Sequence, residues 1–150
     1  MRVTVIRDPC LTTRQRRVVA DARLGSLLRA CGDRLDVPAR ASLSVRLTGD
    51  AELRELNTRF LGIEAPTDVL AFPAGEPGRV GDLAISVERA IGQAPDGVAE
   101  LRLLAVHGFL HCLGHDHALP EAAAAMTAAT RMLLPNADVP DLQTAGLWPS

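Results

Sequence analysis

Apolar and polar residues alternate along Arg2-Val3-Thr4-Val5-Ile6-Arg7 and along Ser42-Leu43-Ser44-Val45-Arg46-Leu47, the two-residue period of strands with one face in a core. Elsewhere the period lengthens. From Leu101 to Leu113 there is no proline, the sole glycine is Gly108, and Leu and Val recur at helical intervals. Read this way, the chain predicts strands over 2–7, 42–48, 68–73 and 80–86, and helices over 13–30, 50–60, 87–93, 98–113 and 120–133. Punctuation fits these limits. Asp50 stands where a helix cap belongs, and Ala74-Gly75-Glu76-Pro77-Gly78 reads as a turn that makes the flanking strands neighbours. Pro120 followed by Glu121 opens the last helix, and residues from about 136 to 150 read as a loosely held tail.

Helices and strands alternating in so short a chain imply an α+β fold, a single small mixed sheet covered by helices. With 150 residues and 47% hydrophobic content, the expectation is one domain spanning 1–150 around one core. There is no internal repeat and no linker. No apolar run approaches the roughly 18 residues that cross a bilayer, and the first residues read as a strand rather than a signal peptide, so a cytoplasmic location is expected. Cys10, Cys31 and Cys112 have no paired spacing and are expected as reduced thiols.

All four histidines fall within His107-Gly108-Phe109-Leu110-His111-Cys112-Leu113-Gly114-His115-Asp116-His117. On a helix His107 and His111 share a face, about 6 Å apart along the axis and within reach of one ion. Gly114 can take the left-handed conformation that ends a helix, so the chain can turn back and present His117 as a third ligand. Cys112, about 100° round the helix from His111, points elsewhere, so the fourth position falls to water, as in catalytic rather than structural zinc sites. The H-x-x-x-H-x-x-G-x-x-H spacing is also that of the metzincin proteases, whose general-base glutamate follows the first histidine. Here Gly108 stands at that position, so the metal framework is present and the peptidase carboxylate is not.

The segment HGFLHCLGHDH resembles the H-G-x-L-H-L-x-G-Y-D-H signature of the YbeY-type endoribonucleases, bacterial enzymes of ribosomal RNA maturation and ribosome quality control. Ala65-Pro66-Thr67-Asp68-Val69-Leu70-Ala71-Phe72-Pro73 is similar to the family's P-T-D-V-L-S-F-P strand, and Gly81-Asp82-Leu83-Ala84-Ile85-Ser86 to its L-G-D-I-x-I-S strand. With Leu56-Asn57, these matches run in family order from about Leu56 to His117. The resemblance implies a zinc-dependent nuclease for single-stranded RNA, with Zn²⁺ on His107, His111 and His117, and ribosomal RNA, with the ribosome or its proteins, as partners. Two positions depart from the pattern. His115 stands where tyrosine is usual, beside the turn and able to compete with His117. Leu61 stands where the family has an active-site arginine, and Arg59, two residues earlier, is displaced by about 200° on a helix or about 6–7 Å on an extended chain.

The net charge of −2 hides an asymmetry that suits an RNA-binding enzyme. Of 16 arginines, 12 lie in residues 1–60 against 7 acids, and 4 lie in the rest against 11. Arg14, Arg16, Arg17, Arg23 and Arg29 stud the 13–30 helix, where a solvated face is the ordinary reading and phosphate contact the functional one. Phe60, Phe72, Phe109 and Trp148 are the whole aromatic inventory, too few to predict a base-stacking platform. The expected chemistry is metal-assisted hydrolysis of an RNA phosphodiester. Asp116, adjoining a ligand, and Asp82, on a neighbouring strand, are the candidate catalytic carboxylates, each with a structural role as turn or strand-end residue as its competitor. The rival reading is a metal-stabilised ribosome assembly factor with little nuclease activity, which Leu61 favours; a different small zinc hydrolase is the third.

Overall fold

The computed structural model describes residues 1–143. Its four strands, β1 (Arg2–Arg7), β2 (Ser42–Thr48), β3 (Val69–Glu76) and β4 (Arg79–Ser86), form one mixed sheet in the order β1-β2-β4-β3. β1, β2 and β4 run parallel, and β3 lies antiparallel to β4 at the edge. The hairpin joining β3 to β4 is tighter than the sequence predicts. β3 continues past an irregularity between Pro73 and Glu76, so the turn shrinks to Pro77 and Gly78.

Alternation decides which residues each face buries. Leu43, Val45, Leu47, Val69, Leu83 and Ile85 enter the main core. There they meet α5 (Gly97–Cys112), around which α1 (Thr13–Ala22), α2 (Leu24–Arg34), α4 (Val87–Gln93) and α6 (Pro120–Leu133) are arranged. Every residue of α5 from Leu104 to Leu110 is buried, the all-round pattern of a central helix. On the other face, among the described residues, a single helix, α3 (Asp50–Leu61), covers a small cluster of Leu53, Leu70 and Ala84, with Leu56 and Phe72 at its margin.

The helix predicted over 13–30 is two helices. Arg23 adopts a left-handed backbone (φ 48°), which lets Ala22 and Leu24 on either side of the break both enter the core. The freed Ala22 carbonyl accepts a 2.9 Å hydrogen bond from Arg102 of α5. Asp50 is the first residue of its helix rather than the cap, which is Gly49. Its backbone N–H donates to Glu88, and its carboxylate takes hydrogen bonds from Ser86 and Arg89, tying α3 to α4. The stretch after α6 is anchored as far as Gln143. Val139 is buried, and Arg131 donates to its carbonyl and to Asp141. The rest of the predicted tail, with Trp148, lies outside the described residues. Among the described residues no helix is long and apolar enough to cross a membrane.

Candidate metal centre

α5 ends in a hydrogen-bonded reversal that sets up the site. His115 N–H bonds to the Leu110 carbonyl and Gly114 N–H to the His111 carbonyl, with Gly114 at φ 101°. These paired bonds close a helix that a non-glycine residue at 114 would strain. The chain turns back over the end of α5, and His117 comes to lie beside the two histidines of the helix.

His107, His111 and His117 form the group, each offering a ring nitrogen within 4.8 Å of the others. The Nε2 atoms of His107 and His111 stand 3.0 Å apart. Two nitrogens bound tetrahedrally at about 2.0–2.1 Å from one ion would stand about 3.3 Å apart, so the pair needs little adjustment to share a metal. His107 and His117 are buried and His111 is half-buried, which leaves one side of the cluster open to solvent. His117 Nδ1 lies 3.2 Å from the Gln143 carbonyl. A carbonyl only accepts, so Nδ1 donates in this contact, the tautomer in which Nε2 is the nitrogen that would take a metal. The sequence gives no sign of this support, because the backbone oxygen of any residue serves equally.

Gly108 has a packing reason to be glycine. A Cβ there would meet Leu83 Cδ2 at 3.0 Å and Val69 Cγ2 at 3.1 Å, so this side of α5 lies directly on the sheet, and a glutamate has no room. Cys112 also turns to the sheet. Its Sγ would stand 2.8 Å from a Cβ at Gly81, and burial, with the negative charge of Asp82, pushes its thiol up to about 12. It therefore stays a neutral, packed side chain.

The other candidates are spread out. His115 is half-buried and lies outside the three-histidine group. Asp116 is exposed beside His117, its Oδ1 accepting from Ala118 N–H at 3.3 Å as a turn residue does. Asp82 is not brought to the histidines. It shares the α3 face of the sheet with Ala84 and is held by Arg79 at 2.9 Å. Leu61 is exposed at the end of α3, and the Arg59 guanidinium lies 5.8 Å from the centre of the Phe60 ring. Asp68 lines a cavity of about 210 Å³ with His107; one carboxylate oxygen accepts from Gln93, and the other is buried without a partner among the described residues. Along the sequence Asp68 is simply one residue of the stretch that resembles the family strand, whereas in the fold it belongs to the surroundings of the histidine cluster.

Residues 12–138 match the family model described as Endoribonuclease YbeY. The Endoribonuclease YbeY of Chelativorans sp. (strain BNC1) is 41% identical over 123 residues, covering 75% of this chain and 76% of that protein. That of Moorella thermoacetica is 38% identical over 128 residues, covering 74% and 82%. In fold, the chain is similar to TM1509 from Thermotoga maritima, solved in solution, with a TM-score of 0.56, 22% identity and 89% of each chain covered.

Proposed function

We infer the function of this chain from one premise: it belongs to the Endoribonuclease YbeY family. It is a metal-dependent endoribonuclease that cleaves single-stranded RNA by hydrolysis in ribosomal RNA maturation and ribosome quality control, in the cytoplasm. The observation that carries this reading is the cluster of three imidazoles with one open side. An all-nitrogen set of three neutral ligands suits Zn²⁺ in its catalytic form. A zinc ion held there supplies Lewis acidity toward a phosphate oxygen and makes hydroxide available from water at neutral pH. His107 and His111 are fixed by the helix, and His117 by the Gln143 carbonyl, so the ligands are set before substrate arrives. Asp116, exposed and next to His117 in the chain, is the carboxylate we assign to take up a proton from water. Asp82, facing the other side of the sheet, has no such access. Cleavage of a labelled single-stranded RNA by purified protein, with and without chelator and beside His111→Ala, tests the reading. Loss of cleavage in both arms is expected, and undiminished cleavage by the alanine variant rules it out.

One observation favours a second reading. Leu61, apolar and exposed, supplies no positive charge where the family pattern has arginine, which suits a metal-stabilised assembly factor that cuts RNA slowly. Binding to ribosomal subunits with undetectable turnover by metal-loaded protein would favour it.

A further inference from the structure

Opposite the metal centre, the uncovered part of the sheet forms a groove of about 390 Å³, within the size range of small-ligand sites. The strand register sets its floor. Thr4 pairs with Ser44, Ser44 with Asp82 and Asp82 with Phe72, so these four side chains cross the sheet in one row. The next row runs Ile6, Arg46, Ala84, Leu70. α3 leans over one end with Leu56 and Phe60. Two of the chain's four aromatic residues therefore meet here. The Phe60 and Phe72 rings stand edge to face at 5.5 Å, and Phe60 is 59% exposed with the Arg59 guanidinium over it. Counting aromatics along the sequence misses this juxtaposition.

We propose that this groove is a nucleobase subsite for single-stranded RNA, separate from the metal centre; the proposal rests on the RNA reading given above. An apolar groove alone would suit many partners, and three features favour a base. An exposed ring offers a flat face for stacking, worth about 1–3 kcal/mol per base. The guanidinium over that ring, 5.8 Å from its centre, supplies positive charge for the phosphate of a nucleotide stacked nearby, in the half of the chain with 12 arginines against 7 acids. The wall next to Phe72 is the carboxylate of Asp82, an acceptor only, whose Oδ2 is held by Arg79 at 2.9 Å, with the Ser44 hydroxyl beyond it. A carboxylate at the edge of a stacked base favours the exocyclic amines of adenine, cytosine and guanine, whereas uracil offers only its ring N3–H between two carbonyls that repel the carboxylate. Arg46, held by Asp8 and Glu52, shapes the floor, and Asp82 reads the base.

The test measures binding and cleavage separately. Fluorescence anisotropy with labelled A6, C6 and U6 oligonucleotides is read on full-length protein carrying His111→Ala, so that the RNA stays intact, alone and combined with Phe60→Leu, Phe60→Trp or Asp82→Ala. Phe60 is largely exposed, and thermal melting checks that each variant folds. Phe60→Leu, which keeps apolar bulk and removes the ring face, should weaken A6 binding about tenfold, and Phe60→Trp should restore it. U6 should bind several-fold more weakly than A6 or C6, and Asp82→Ala should erase that difference. Binding within twofold of the parent in Phe60→Leu, U6 binding as well as A6, or an affinity that follows apolar bulk rather than the ring, as for a docked peptide, overturns the proposal. Cleavage by protein with intact histidines distinguishes the two readings. RNA binding that depends on Phe60 without any cleavage leaves the groove standing and removes the nuclease; cleavage with binding indifferent to Phe60 does the reverse.

Discussion

The two faces of the sheet are finished differently. One is sealed by α5 and the four helices packed around it, and the histidine cluster is built at the far end of α5. The other has, among the described residues, α3 alone, a cluster of three buried side chains and an open groove. A metal centre requires nitrogens held to within a few tenths of an ångström, and rigidity of that order comes from burial on every side of the helix that carries them. A surface that meets a flexible polymer gains from being left uncovered. The sealed face therefore carries the histidine cluster and the larger core, and the open face keeps surface free for contact.

Removing a ligand breaks this division most severely. His111→Ala should lose bound metal and bring RNA cleavage down to the chelated level while far-UV circular dichroism is unchanged, since His111 is half-buried at a helix end; retained metal in the variant would show that the cluster is not the site. Next, truncating an aromatic residue on each face should give unequal results. Phe109, fully buried, should cost about 3–5 kcal/mol as alanine. Phe60→Ala should stay within about 0.5 kcal/mol, as at most surface positions. Denaturant midpoints measure both, and equal losses would mean that the open face contributes as much to folding as the sealed one.

Leu61→Arg restores the guanidinium of the family pattern and should raise cleavage, by up to about a hundredfold if one charge-stabilising donor is what is missing. An unchanged rate with full metal loading would show that the arginine is not limiting. The smallest effect belongs to the tie that holds α3 in place. Partial burial pushes the Asp50 carboxyl up, but the hydrogen bonds from Arg89 and Ser86 outweigh it, and the group sits below the ordinary carboxylate value. A lowered folded value means stability that is present above the unfolded pKa of about 3.9 and lost as pH falls through the folded one. Asp50→Asn should thus cost on the order of 1 kcal/mol or less at pH 7, with the gap from the parent closing in acid. A gap that persists at about pH 2 would assign the effect to packing rather than charge.

The parts of this design that were legible in the sequence are those set by strong periodicity. The strand limits at 2–7 and 42–48 and the central helix match, because alternating and all-round apolar patterns report burial directly. The break at Arg23 was invisible, since apolar residues continue at helical spacing through Val19, Ala22, Leu24, Leu27 and Leu28 and only the tertiary hydrogen bond to Ala22 makes room for it. Along the sequence Gly108 reads as a missing glutamate and as a match to the family signature, and its physical cause, the sheet pressed against α5, shows only in the fold. For Asp82 a signal did exist: Leu83 and Ile85 face the main core, so strand alternation alone sends Asp82 to the other side.

Metal content against activity tests the central claim most directly. Purified full-length protein is stripped, titrated with Zn²⁺, and assayed at each step for bound metal by elemental analysis and for cleavage of single-stranded RNA. Cleavage rising in proportion to bound zinc and levelling off at one ion per chain is the predicted result. Full cleavage by metal-free protein, or one tightly bound ion per chain with no cleavage at any step, would contradict it.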